Sequence, residues 1–95
     1  SNPRNLVFHG AYPVPATEKV TFAFSTPESS ESVQTSVEVY DLLGRQVAEV
    51  LNKTLPGGYQ EVVWQIDQNH RPLPGVYISV VKFGNEVAQK RLVIK

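Results

Sequence analysis

The chain contains short stretches in which apolar and polar residues alternate, and this pattern limits the folds that it can adopt. In Lys19–Ser25, Val20, Phe22 and Phe24 fall at every second position, which is the period of a strand with one buried face. No long stretch has the period of an amphipathic helix. Further strands are predicted at about Leu6–Phe8, Gln34–Tyr40, Gln46–Leu51, Tyr59–Ile66, Val76–Phe83 and Glu86–Ile94. Short strands separated by turn signals predict an all-β, immunoglobulin-like antiparallel β-sandwich of about seven strands.

Glycine and proline mark the predicted turns. Asp41–Arg45 is expected to form a hairpin turn in which Gly44 adopts a positive φ. Gly84–Asn85 predicts a second tight turn, and Pro56–Gly58 predicts a break between strands. Because Val76–Phe83 is apolar on nearly both faces, it is expected to be a central strand.

The length of the chain suits one domain with a modest hydrophobic core. It has 95 residues, of which 41% are apolar and 19% are charged, a composition typical of globular proteins. We therefore predict a single domain over residues 1–95, with residues 1–10 as a linker or opening strand from an upstream parent protein. The polar segment Ser1–Asn5 does not resemble a signal peptide, so any export signal is expected further upstream.

Composition argues against enzymes and nucleic-acid binders. The 9 basic and 9 acidic residues balance, whereas nucleic-acid binders normally carry a basic excess. The absence of cysteine excludes thiolate nucleophiles and cysteine metal sites. His9 and His70 show no pattern of a catalytic triad, and Asp67–Asn69 lacks the later acidic ligands of a calcium-binding loop. We therefore predict no catalytic, metal-binding or cofactor-binding residues and no cofactor.

Positive charge is concentrated in the last two predicted strands, and it has two interpretations. Lysine on an exposed strand protects a sheet edge from aggregation, but a basic strand can also be recognised by an acidic partner. Spacing in the sequence does not decide between them. The basic residues concerned are Lys82, Lys90, Arg91 and Lys95.

Aromatic residues raise carbohydrate binding as a further hypothesis, since sandwich domains can stack rings on sugars. Such a site needs several exposed aromatic side chains in a row. Trp64 alternates with Val62 and Ile66, so we predict that it packs in the core instead.

Four short motifs occur together in a characteristic order. They are Tyr12–Pro15, Val39–Arg45, Pro74–Ile78 and Gln89–Lys95. In their order and spacing, the chain resembles the C-terminal sorting domain of type IX secretion cargo proteins, and also the related hook-capping-type immunoglobulin-like module. The resemblance covers about residues 8–95. The family usually has asparagine between the two prolines of the first motif, where this chain has Val14.

The resemblance implies that the chain is an export address and not an enzyme. Such domains follow proteases, adhesins and other cargo of certain Gram-negative bacteria. An outer-membrane translocon recognises them, and a surface sortase commonly removes them. The implied partners are the outer-membrane secretion translocon, surface sortase components and an upstream cargo domain in the same chain. The implied location is secreted or cell surface, reached through the periplasm and outer membrane. The residues expected in or near the recognised region are Gly75, Tyr77, Lys90, Arg91, Leu92, Val93, Ile94 and Lys95.

An alternative hypothesis is a passive immunoglobulin-like accessory module of an extracellular or cell-surface protein. Such a module would stay on the mature protein, whereas a cleaved address would disappear from it. Exposed sheet edges also permit a homodimer, which the sequence neither requires nor excludes.

Overall fold

The computed structural model describes residues 5–28 and 31–95, and these residues form a two-layer β-sandwich. None of them lies in a helix that could cross a membrane. The strands are β1 (Val7–Tyr12), β2 (Lys19–Thr26), β3 (Val33–Tyr40), β4 (Gln46–Leu55), β5 (Gly58–Gln65), β6 (Gly75–Phe83) and β7 (Glu86–Ile94). The predicted all-β sandwich of seven antiparallel strands is confirmed, and it is compatible with an immunoglobulin-like build.

The strands form a three-stranded sheet in the order β1-β2-β5 and a four-stranded sheet in the order β4-β3-β6-β7. All neighbouring strands in both sheets are antiparallel. Strand β6 lies between β3 and β7, which confirms the prediction of a central strand for this apolar segment. Strand β7 lies at a sheet edge, which becomes important for the functional site.

The hydrophobic core lies between the two sheets. Phe22 and Phe24 of β2 are fully buried there, together with Val37 and Val39 of β3. Trp64 is partly buried and packs against this core, as its alternation with apolar neighbours predicted. The face of each sheet that meets the core therefore follows the period-2 pattern of the sequence.

Two strands are longer than the sequence indicated. Strand β4 continues to Leu55 instead of ending near Leu51, although Asn52–Thr54 is polar. Main-chain hydrogen bonds to β3 continue through this polar segment. Its side chains do not reach the core, so they need not be apolar. Strand β1 extends to Tyr12, since it pairs with β2 past an irregularity between Phe8 and Gly10.

The predicted turns are present. Gly44 has a φ of 85° in the Asp41–Arg45 turn, and Gly84 has a φ of 61° between β6 and β7. The predicted break at residues 56–58 is shorter than expected, since Gly58 already pairs with Thr26 at the start of β5. Gly57 is packed so closely that an added Cβ would lie 2.0 Å from the carbonyl oxygen of Pro27.

Candidate functional site

The four sequence motifs meet at one end of the sandwich, which we call the motif end. Strands β1, β3, β5 and β7 finish there, and β2, β4 and β6 begin there, as their antiparallel pairing requires. Three connections therefore lie together: residues 13–18, residues 41–45 and residues 66–74. The molecule is about 40 Å long and 22 Å wide. Because β1 begins at Val7 at the other end, the preceding chain joins the sandwich far from the motif end.

Hydrogen bonds connect the loops of the motif end to the end of β7. The main-chain N–H of Ala16 donates to the carbonyl oxygen of Val93 at 2.8 Å, and the N–H of Lys95 donates to the carbonyl oxygen of Ala16 at 2.9 Å. The guanidinium of Arg71 donates to the main-chain oxygens of Thr17 at 2.6 Å and Lys95 at 2.7 Å. The residues that directly follow the first motif are thus bonded to the last motif.

The Asp41–Arg45 turn is fixed by its own first side chain. One carboxylate oxygen of Asp41 accepts the N–H groups of Leu43 and Arg45, both at 2.9 Å, and the other accepts the Arg45 Nε–H at 2.8 Å. These bonds, chiefly the one from the Arg45 backbone, lower the pKa of Asp41 below its ordinary value. The carboxylate is therefore ionised at neutral pH, and the turn is held in one conformation.

The residues predicted in the recognised region fall into two groups. Tyr77, Leu92 and Ile94 are buried, with exposures of 8%, 0% and 1%. The Tyr77 hydroxyl donates to the carbonyl oxygen of Leu73 at 2.5 Å, which fixes the start of β6. Because they are buried, these side chains cannot contact a partner directly, and they affect recognition only by stabilising the strands that carry the surface residues. The remaining members lie at the surface, where Gly75 and Val93 are half-buried and Lys90, Arg91 and Lys95 are exposed.

Strand β7 presents an open edge over part of its length. The bonds to Ala16 show that the main-chain polar groups of Val93 and Lys95 point away from β6. The N–H and C=O groups of successive residues in a strand point to opposite edges of that strand. Those of Val87, Gln89 and Arg91 therefore also point away from β6. Within residues 5–28 and 31–95, no further strand is hydrogen-bonded to this segment, although β1 of the other sheet lies near β7. Ala16 therefore pairs with the end of β7, and the outward main-chain groups in the middle of the strand have no paired strand among the described residues.

The four basic residues of β6 and β7 differ in their surroundings. Lys82 Nζ lies 3.2 Å from a carboxylate oxygen of Glu38, and the hydrogen bond and charge of that carboxylate raise the lysine pKa. Lys90, Arg91 and Lys95 make no ion pair with any residue of the described ranges 5–28 and 31–95. Lys82 therefore has a partner within the sheet, and the other three remain available to an acidic surface.

The comparisons with known proteins identify the family. The model of the secretion system C-terminal sorting domain matches residues 10–95, which is most of the chain. The chain belongs to this family. It is a sorting signal for type IX secretion, and a signal of this kind directs export through the outer membrane to the cell surface or the extracellular space. The predicted family, function and location are confirmed.

A solved structure supports the fold of the sorting domain. The crystal structure of dimeric latent PorU from Porphyromonas gingivalis matches with a TM-score of 0.62 and 20% sequence identity, over 95% of this chain. The match covers 9% of the PorU chain, so the sorting domain spans a small part of that protein's length. A search of curated proteins found no significant match.

The two histidines of the sorting domain contact different partners. His9 Nε2 lies 2.6 Å from the Ser25 hydroxyl oxygen, and His70 Nδ1 lies 3.1 Å from a carboxylate oxygen of Asp67. Asp67 also accepts the N–H of Asn69 at 2.9 Å, which is the turn-forming role expected for this loop. In the described ranges, no three His, Cys, Asp or Glu residues are grouped so that they could hold a metal ion.

The exposed aromatic residues are tyrosines on the outer face of the three-stranded sheet. One carboxylate oxygen of Glu61 accepts hydrogen bonds from Tyr59 at 2.7 Å and Tyr12 at 3.3 Å. The bond to Glu61 raises the pKa of Tyr59 to about 12. Trp64 faces the core, so it does not extend this pair into the row of rings that a sugar-binding face requires.

A feature missed in the sequence is a groove beside the Asp41–Arg45 turn. It has a volume of about 360 Å³ and lies between this turn and the Pro72–Tyr77 segment. Leu43 and Leu73 line it and are 80% and 79% exposed. Leucines at the tip of a turn and between two prolines were visible in the sequence, but only the pairing of β3 with β6 brings them together.

Proposed function

We propose that the secretion translocon recognises the sorting domain at its motif end and along β7, through Lys90, Arg91 and Lys95. The observation that carries this proposal is that these exposed basic side chains lie on or beside an open strand edge without carboxylate partners in the described chain. An unpaired edge supplies main-chain hydrogen bonds for strand addition, and the charges select an acidic partner. A homodimer that uses the same edge stays an untested prediction.

The buried members of the predicted set have a structural role in this proposal. Gly75 begins β6 with a φ of 153°, and Tyr77 is buried two residues further along the strand. Leu92 and Ile94 hold β7 on the core, so that the basic side chains project from a fixed strand. Deletion of residues 90–95 would therefore unfold the domain as well as remove the address, and it could not distinguish recognition from folding.

A charge reversal on the surface separates these two effects. We expect Arg91→Glu to lower the fraction of an upstream reporter that reaches the cell surface several-fold, because the substitution places a carboxylate where an acidic partner is proposed. Lys53→Glu is the matched control, since Lys53 is also exposed but lies on β4 at the opposite edge of the same sheet. Equal export of both variants, with equal melting temperatures, would contradict the proposal.

We also propose that a sortase removes the domain after export, and that the domain itself performs no chemistry. The arrangement of the sandwich supports removal, since the upstream chain joins at the end opposite to the motif end. The junction would stay accessible while the motif end is engaged. Mass spectrometry of the surface-attached parent protein should find no peptides from the sorting domain. Their presence at full abundance would favour a retained accessory module instead.

A further inference from the structure

The leucines Leu42, Leu43 and Leu73 form an exposed apolar group at the motif end, which we call the leucine tip. Their exposed fractions are 67%, 80% and 79%. Single apolar residues on a surface are ordinary, but a group of large ones on neighbouring loops is typical of a contact site. None of these side chains contributes to the buried core.

Both loops of the leucine tip are held rigidly. The Asp41 carboxylate fixes the turn that carries Leu42 and Leu43. Leu73 lies between two prolines, and its carbonyl oxygen accepts the Tyr77 hydroxyl at 2.5 Å. A rigid apolar group loses little conformational entropy when it binds, which suits a docking element better than a flexible linker.

The leucine tip borders concave apolar surface on two sides. The groove of about 360 Å³ includes Val47 and Val76 beside Leu43 and Leu73. On the other side of Leu42, a second depression of about 290 Å³ reaches Ile78 and Val80 on the outer face of the four-stranded sheet. Packing at the core of a protein interface is as dense as in a protein interior, so side chains of a partner would have to fill these depressions.

Charge around the leucine tip indicates the character of the partner. Arg45 lines the groove and its side chain is 74% exposed, but it is paired with the Asp41 carboxylate at 2.8 Å, so the unpaired positive charge comes from other residues. Arg71 and Lys95 lie at the same end of the sandwich, where the Arg71 guanidinium donates a hydrogen bond to the main-chain oxygen of Lys95. Arg91 lies on the adjoining edge strand opposite Ile78. A surface of opposite charge would complement these groups, since electrostatic complementarity steers and orders protein association.

We infer that the leucine tip and its groove form a docking site for a protein of the export machinery that presents apolar side chains bordered by carboxylates. The inference rests on the proposed function and adds an apolar anchor to the basic edge of β7. Apolar anchors in pockets supply most of the affinity at such interfaces, and surrounding charges supply orientation and rate.

The test replaces the leucine tip without disturbing the core. A Leu42→Ser, Leu43→Ser, Leu73→Ser variant should lower surface display of an upstream reporter about tenfold, in line with the loss of an interface anchor. The matched control is Val7→Ser, Val63→Ser, since these residues are 42% and 50% exposed on β1 and β5, outside both the leucine tip and β7. The control should export as wild type does, and both purified variants should keep the wild-type melting temperature.

The outcomes separate this inference from the proposed function. Failure of the wild-type domain to export the reporter would overturn the proposed function itself. Export of the serine variant at the wild-type level would overturn only the docking site. Binding of the wild-type domain to phosphatidylglycerol vesicles that is lost in the serine variant would replace a protein partner with a lipid surface. A concentration-dependent dimer lost in that variant would replace it with a second copy of the chain.

Discussion

Leu92→Ala should strongly destabilise the sorting domain while leaving its exposed basic residues unchanged. Leu92 is fully buried on β7, opposite Tyr77 of β6. Truncation of a buried leucine costs about 2–5 kcal/mol, since it removes apolar contacts and leaves a cavity. Each 1 kcal/mol lowers the melting temperature of a domain of this size by about 4–8 °C. We therefore expect a fall in melting temperature of about 8–40 °C.

Circular dichroism during thermal and urea unfolding of the isolated domain measures this effect. Val87→Ala is the matched control, because Val87 lies on the same strand and is 61% exposed. Its substitution should change the free energy of unfolding by less than about 0.5 kcal/mol. A cost below about 1 kcal/mol for Leu92→Ala would show that β7 is not packed on the core. It would refute the division of the last motif into buried and surface residues.

Three further substitutions test other parts of the fold. Gly57→Ala should lower the urea midpoint, because its Cβ would meet the Pro27 carbonyl oxygen; an unchanged midpoint would refute that close packing. Tyr77→Phe should cost about 1 kcal/mol through its lost hydroxyl bond, and a neutral result would contradict its anchoring role. The Tyr59 bond to Glu61 raises the tyrosine pKa from 10.0 to about 12, so its stabilisation should persist below pH 10 and vanish as pH approaches 12. Ultraviolet titration should lose this late ionisation in Tyr59→Phe, and its persistence would contradict the assignment.

Strand bounds could be predicted from the sequence where the alternation of apolar and polar residues matches the alternation of buried and exposed side chains. The bounds of β7 and the Gly84–Asn85 turn agree with the sequence, because alternation and turn chemistry are local properties. The extension of β4 to Leu55 was not predictable, since Asn52–Thr54 has no apolar pattern and is sustained by pairing with β3. The choice of partner strand depends on distant residues, which no local pattern contains.

The candidate site was only partly predictable for a similar reason. The last motif was identified by its residues, but alternation along β7 places Leu92 and Ile94 in the core. The sequence also could not show that Lys82 is paired with Glu38 on the sheet surface. Convergence of four motifs at one end follows from the antiparallel pairing of all seven strands. That arrangement turns separate short motifs into one surface.

The central claim is that the folded sorting domain is sufficient to direct a protein through type IX secretion. The most direct measurement fuses the domain behind an inert periplasmic reporter, in a bacterium with the secretion system and in a matched strain without its translocon. Protease accessibility on intact cells then gives the surface fraction of the reporter. We predict surface display in the first strain and periplasmic retention in the second. Periplasmic retention of an intact, folded fusion in both strains would contradict the claim.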